Sequence, residues 1–306
     1  MKKEKVKKPR PTLRNKMQGV LNFSDYRKAS NKVGYGFIIG FLVIFSLIAI
    51  MPLVYLFFTS MKTVAEINST DYHFFPQHFT FQKIIDLWQK VNFTNYYLNT
   101  FLMVIGCVVC AVVFNSMLAY ATTVIKPFGY KVIDKLILLG YMIPSILNIV
   151  PLFLQISQMG LTNPDLGYLT MLSLWLSYGA NAYYYMLFKD HFAKIPQSLI
   201  EAARMDGYGD MGIFLKVALP LSKSIIGIVA IFAMTASYSD FLLPYLVLGN
   251  GSLQTLMVGI YNMSSETLDE SEFLLVLVLS IIPQVIMFLI FQKQIMGSNA
   301  QSGMKE

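Results

Sequence analysis

Apolar residues in this chain fall in blocks too long for the helices of an ordinary soluble core. Six such blocks run from Phe37 to Phe58, Leu98 to Val124, Leu136 to Met159, Leu166 to Phe188, Ile225 to Leu248 and Phe273 to Phe291. The first two and the last contain no charged residue. The hydrocarbon core of a bilayer, roughly 30 Å thick, is crossed by about 20 apolar residues in a helix. Within lipid every backbone N–H and C=O must be paired inside the protein, which predicts that these segments are helical. The expected fold class is therefore all-α: a polytopic membrane protein with six transmembrane helices and both termini on one side.

Lys and Arg decide which side. Before the first block lie Lys2, Lys3, Lys5, Lys7, Lys8, Arg10, Arg14, Lys16, Arg27, Lys28 and Lys32. The loop after the second block adds Lys126, Lys131 and Lys135, and the loop after the fourth adds Lys189, Lys194, Arg204, Lys216 and Lys223. The tail contributes Lys293 and Lys305. The opposite side receives only Lys62, Lys83 and Lys90, with Glu266, Asp269, Glu270 and Glu272 after the fifth block. The expected orientation is N-in and C-in.

Composition agrees. Only 13% of the 306 residues are charged and 55% are hydrophobic, against about 25% charged in soluble domains. The net charge of +7 reads as the cytoplasmic bias plus attraction of the N-terminus to anionic lipid, and not as a nucleic-acid signal. The first apolar block is too long and starts too late for a cleaved leader, whose core spans about 7–15 residues. Cys107 and Cys110, spaced like a redox pair, lie inside the second block, where they read as small packing residues. His73, His78 and His191 fall in loops without a metal-ligand pattern.

The expected organisation is a basic cytoplasmic segment over 1–34, a membrane domain over 35–296 and a Gly-containing cytoplasmic tail over 297–306. The first external loop, 59–97, is rich in aromatic residues, among them Tyr72, Phe74, Phe75, Phe79, Phe81, Trp88, Phe93, Tyr96 and Tyr97. That suits a folded cap or short interfacial helices, serving either as an aromatic belt or as a partner's docking surface. Pro52, Pro144, Pro151, Pro244 and Pro283 each remove a backbone donor and are expected to bend their helices.

The loop over 189–222 carries the most information. Ile195-Pro196-Gln197-Ser198-Leu199-Ile200-Glu201-Ala202-Ala203-Arg204-Met205-Asp206-Gly207 places Ser198 three residues before Glu201, the spacing of a capping box. Pro196 stops any upstream helix, and Gly207 is placed to end the new one in a left-handed conformation. The segment predicts a cytoplasmic helix of about two turns, with Ala202 and Ala203 leaving its surface small. A second short helix is expected from Met211 to Val217, with Leu219-Pro220 leading back to the membrane.

Glu201-Ala202-Ala203, three residues, Gly207, nine residues, Val217, then Leu219-Pro220 resembles the "EAA loop" of ATP-binding-cassette (ABC) importer permeases, with Val for the usual Ile. Ile195-Pro196, Asp206-Gly207, Met142-Ile143-Pro144 and the tail from Gly297 to Lys305 with Gly303 are similar to the carbohydrate-uptake branch, which contains the second, six-span permease subunit of the maltose transporter. The resemblance extends over the chain after residue 37 and implies a type I ABC importer permease fold. It implies that Ser198, Glu201, Ala202, Ala203, Asp206, Gly207, Leu219 and Pro220 form the coupling contact with a separate ATPase. It also implies a second permease subunit as heterodimer partner, two ATPase subunits that bind ATP and Mg²⁺, an extracellular sugar-binding protein, and no enzyme activity in this chain. Lacking a phosphate-binding GxxxxGK[ST] loop, the chain is expected to bind no cofactor itself.

One stretch departs from that group. Where it commonly shows Trp-Asn-(Asp/Glu)-Phe, two residues and Pro, this chain has Tyr238-Ser239-Asp240-Phe241-Leu242-Leu243-Pro244. A carboxylate at a helix centre costs about 2.5–3.5 kcal/mol to insert, so Asp240 is expected near an aqueous cavity, a membrane edge or a partner group. Sugars are held by aromatic rings and hydrogen-bonding groups, which makes Asn115, Trp175, Tyr178, Asn181, Ser237, Tyr238 and Asp240 candidates for a substrate pathway. Helix–helix packing explains them as well, and Tyr183, Tyr184 and Tyr185 suit an interface belt. A non-sugar cargo, or a secondary transporter with ion sites near the midplane, stays open as an alternative.

Overall fold

The computed structural model of the protein describes residues 29–71, 73–249, 251–263 and 268–302, with backbone only at 29–33, 164 and 293–302. The basic segment up to residue 28, Tyr72, Glu266 and the tail from Gly303 lie outside the described residues. Among the described residues every regular element is helical. The chain divides into two compact units, 1–56 and 57–306. The first consists, where described, of helix α1 (Ala29–Ser60), whose last turn belongs to the second unit. Its apolar side chains from Phe37 to Leu53 are exposed, as a lipid-facing helix requires. Within it the Ser46 hydroxyl donates back to the Leu42 carbonyl at 2.7 Å.

The second unit continues with α2 (Val64–Ile67), α3 (Gln82–Val91) and α4 (Phe93–Tyr120), the last extended by a π-helical turn, Ala121–Ile125. Then come α5 (Tyr130–Tyr141), α6 (Ser145–Gln158), a 3₁₀ segment (Pro164–Thr170), α7 (Met171–Gly179), α8 (Ala182–Phe192) and α9 (Gln197–Met205). Helix α10 (Asp210–Ile213), a second π turn (Phe214–Ala218) and α11 (Leu219–Leu221) lead to α12 (Lys223–Ser239), α13 (Leu242–Leu248), α14 (Leu256–Met263) and α15 (Glu270–Ser302). Helix α4 is the core, packed against α7, α8 and α12. Small residues let its neighbours approach closely: Ala111 and Ala119 are fully buried, and a Cβ on Gly106 would lie 2.3 Å from the Trp175 indole. Cys107 and Cys110 are free thiols on this packing face.

Among the described residues three helices are long and apolar enough to cross a membrane: Gly34–Ser60, Phe93–Ile125 and Glu270–Gln292. They match the first, second and sixth predicted blocks. The remaining three blocks are broken. The third consists of α5 and α6, bent by 108°. The fourth is a 3₁₀ turn followed by α7 and α8, of nine and eleven residues. The fifth ends its helix at Ser239 and resumes at Leu242. Asp240 therefore sits at a helix break, where a carboxylate is tolerated, and not at a helix centre. Prolines explain only part of this: Pro144 stands at the α5–α6 break, but Pro52, Pro151 and Pro283 lie inside uninterrupted helices. Within the segment expected as a tail, the backbone of α15 stays helical through Gly297 to Ser302.

The loop over 59–97 is folded, as its composition suggested. Thr63 and Glu66 form a complete capping box on α2. Trp88 stacks on Phe93 and Tyr97, with ring centroids 5.4 and 5.3 Å away. All three lysines of this loop are engaged. Lys83 Nζ donates to the carbonyls of Ser60 and Lys62, each at 2.7 Å, and to Ser271 Oγ. Lys62 donates to the His73 carbonyl, and Lys90 pairs with Glu272 at 2.7 Å. Burial holds the Lys83 ammonium below the usual lysine range, opposed by Asp269, Glu272 and Glu66.

Candidate functional site

The loop over 189–222 forms the predicted helix, with a correction at its start. Helix α9 begins at Gln197 with Pro196 as N-cap and no side-chain cap hydrogen bond. Ser198 is already inside the first turn, so the Ser198–Glu201 capping box does not form. Pro196 sets this start, because its extended ψ of 128° turns the chain into the helix one residue before Ser198 could cap it. At the other end, Gly207 has φ +85°. Its N–H donates to the Arg204 carbonyl and that of Tyr208 to the Ala203 carbonyl, at 3.0 and 3.1 Å. This pair of bonds is a Schellman motif, so Gly207 ends the helix as its position suggested.

The two alanines separate. Ala203 and Ile200 are buried, whereas Ala202, Glu201 and Ser198 are exposed. The inward pair packs into a cluster that also holds Ile213, Phe214, Val217, Ala218 and Leu219. The halves of the motif, with nine residues between Gly207 and Val217, thus meet in one hydrophobic platform, with Tyr120 and Phe192 beneath it. The expected second helix, 211–217, is a short α turn running into a π turn. Pro220 and Asp206 are exposed, and Arg204 pairs with Asp210 at 3.2 Å across the turn. Facing outward are Leu199, Met205, Tyr208, Met211 and Leu215. Met205 is 84% exposed, the most open of this apolar set.

The pathway candidates divide into three groups. Asn115 and Asn181 come together at the α7–α8 break. Asn115 Nδ2 donates to the Tyr178 carbonyl at 3.0 Å, while its Oδ1 accepts from the Asn181 N–H at 3.1 Å. Asn181 Oδ1 in turn caps α8 through the Tyr184 N–H at 3.1 Å. These bonds satisfy backbone groups that the break would otherwise orphan. Tyr178 and Asp240 meet through the tyrosine hydroxyl, which donates to Asp240 Oδ2 at 3.4 Å. Trp175, Ser237 and Tyr238 do not join them. Trp175 lies over Gly106, Ser237 donates to the Met234 carbonyl at 3.2 Å, and Tyr238 donates to the Ser280 carbonyl at 2.5 Å. These contacts lie within and between helices.

One network escaped the sequence reading. Lys189 pairs with Asp134 at 2.7 Å, Tyr185 donates to the same carboxylate, and Tyr185 Oη and Thr122 Oγ1 are hydrogen-bonded at 2.8 Å. It joins α5, α8 and the π turn after α4 directly behind the approach to α9. Tyr185 is buried and is not a belt residue. The signal was present: Asp134 is the one acid among Lys126, Lys131 and Lys135. Among the described residues no cluster of His, Cys, Asp and Glu could hold a metal ion.

A cavity of about 700 Å³ opens beside the α7–α8 break, lined by Asn115 and Asn181 together with Tyr141, Ser145, Asn148 and Tyr183.

Residues 111–296 match the family described as binding-protein-dependent transport system inner membrane component. The chain is similar to the diacetylchitobiose uptake system permease protein NgcG of Streptomyces coelicolor, 29% identical and covering 85% of each chain. It is also similar to the arabinooligosaccharides transport system permease protein AraQ of Halalkalibacterium halodurans, at 28% identity over 91% of this chain and 99% of the relative. Among solved structures, a bacterial ABC transporter involved in the import of the acidic polysaccharide alginate has a chain of the same fold. Its TM-score is 0.74 at 23% identity, covering 87% of this chain and 98% of that one.

Proposed function

Because the chain belongs to the family of binding-protein-dependent transport system inner membrane components, we propose that it is the permease subunit of an ABC importer for an oligosaccharide. Membership makes it a transport component of the inner membrane and not an enzyme. The cargo follows from relatives named for diacetylchitobiose and arabinooligosaccharides, which match nearly end to end. In this reading an extracellular binding protein delivers the sugar, a second permease completes the pathway, and two ATPase subunits bind ATP and Mg²⁺. This reading counts six crossings, the broken third, fourth and fifth segments each counting once, and takes 189–222 as cytoplasmic.

The observation that carries the coupling role is the mounting of α9. Its outward face offers Leu199, Ala202 and Met205, while Ile200 and Ala203 anchor it in the platform that feeds α12. A force on the outward face is thereby passed to packed helices, because close-packed interiors transmit displacement. The ATPases, closing on ATP, pull α9 and rock the bundle between inward- and outward-open states. Replacing Gly207 by Pro destroys the left-handed cap, since proline holds φ near −65°, and Glu201→Lys reverses the charge on the exposed face. In proteoliposomes containing the whole importer, the double variant is expected to hydrolyse ATP without sugar uptake. Full uptake by that variant, or a reporter fusion placing residues 190–222 outside the cell, would sink the reading.

A further inference from the structure

We infer that the cavity between α5–α6 and α7–α8 is a station for one sugar ring of the cargo, and that Asn148, Ser145, Tyr141 and Tyr183 are its contact residues. The inference rests on the carbohydrate reading above and adds to it a site on this subunit.

Two helix breaks face the same space. Pro144 and Ser145, at the 108° bend, and Ala180 and Asn181, between α7 and α8, all line it. Broken backbone at membrane depth persists only where protein covers it or where it borders an aqueous cavity. Asn115 satisfies part of the second break from within, and the rest of the opening is left to water or cargo. The volume, about 700 Å³, lies in the range of roughly 300–1,000 Å³ typical of small-molecule sites.

The lining narrows the chemistry. It contains three asparagines, a serine and three tyrosines, and among the described residues no charged side chain. A charged cargo group would be left without a counter-charge there, at high cost in a low-dielectric setting; neutral hydroxyls would not. Asn115 and Asn181 are already committed to the helix break, so they shape the wall. Asn148 and Ser145 are exposed to the cavity and are placed to exchange hydrogen bonds with hydroxyls. The rings of Tyr141 and Tyr183 lie nearly parallel, 17° apart with centroids at 6.4 Å, one from each side of the break pair. Both are substantially exposed. Together they offer the flat apolar surface on which the C–H face of a pyranose or furanose stacks.

The test uses the complete importer, with partner permease, ATPases and binding protein, in nanodiscs. Asn148→Cys is introduced and its maleimide labelling rate measured with ATP hydrolysis arrested by vanadate; the native Cys107 and Cys110 are buried. The probes are diacetylchitobiose and arabino-oligosaccharides, whichever stimulates ATP hydrolysis. That sugar is expected to slow labelling of the introduced thiol about tenfold, and Tyr141→Ala is expected to lower uptake about tenfold, with Tyr141→Phe, which keeps the ring, restoring most of it. Labelling unchanged by a sugar that does stimulate hydrolysis overturns the cavity assignment and leaves the importer reading standing. A non-carbohydrate cargo driving both hydrolysis and uptake, with neither sugar effective, overturns the carbohydrate reading and this inference with it.

Discussion

The two ends of the helical unit are finished in opposite ways. At the end bearing residues 59–97, polar groups close on one another: Lys83 caps the carbonyls of Ser60 and Lys62, Ser271 Oγ donates to the Lys62 carbonyl at 2.7 Å, and Lys90 meets Glu272. At the end bearing 189–222, an apolar platform holds α9 in place and a second apolar set, including Leu199 and Met205, is left facing out. Directional bonds give the first end a shape it can keep alone. The second end has surface to spare, and exposed apolar patches on a polar rim mark partner sites. In the proposed reading a permease has use for both, the first as a rigid outer frame and the second as a handle.

The largest expected effect comes from the handle. Met205→Glu places a charge at the centre of its exposed face. It is expected to leave the melting temperature of the purified subunit unchanged within the small range of surface substitutions, yet to abolish co-purification of the ATPase. Normal co-purification would break the contrast between the ends. Next is Lys83→Met, which takes a donor from the Ser60 carbonyl and from Ser271 Oγ, while the Lys62 carbonyl keeps the Ser271 hydroxyl. A loss of about 2–3 kcal/mol is expected, read as a lower melting temperature in nanodiscs, whereas a neutral result would show that this end is not closed by polar bonds. Lys90→Ala removes a half-exposed pair and is expected to cost no more than about 1 kcal/mol, vanishing at high salt.

The smallest effect is a pH dependence. The Thr63 backbone N–H, chief among several donors, holds the Glu66 carboxyl below its usual range, with desolvation opposing it. The folded state therefore binds that proton less readily than the unfolded chain. Its contribution is complete above the ordinary glutamate value and is lost as pH falls through the folded one. Melting curves of Glu66→Gln and the unaltered protein are expected to differ at neutral pH and to converge in acid; a constant gap would refute the box as its source.

Much of this was legible before any coordinates. Long uncharged blocks announced α1, α4 and α15, because lipid admits no other reading of them. Gly207 declared the end of α9 through the left-handed backbone that only glycine enters easily. The breaks were less visible. Pro144 marked one, but the interruption at 179–181 has no proline and depends on Asn115, some 65 positions earlier in the chain, to satisfy it. The network of Asp134, Lys189 and Tyr185 was missed for the same reason: each residue has an ordinary local explanation, and only their meeting is informative.

What the linear order of residues determined, then, is the solvent each segment prefers and the local geometry of its ends. Hydrophobic length, basic bias and the EAA spacing are read within tens of residues, on terms that no distant contact can alter. Which of two adjacent alanines faces a partner, whether a candidate pathway residue packs or lines a cavity, and which capping geometry wins at Pro196 were decided by tertiary packing. Those outcomes turn on contacts between groups far apart in the chain, such as Ala203 against Phe214 and Trp175 against Gly106, and a side chain's role follows from the neighbour it is given.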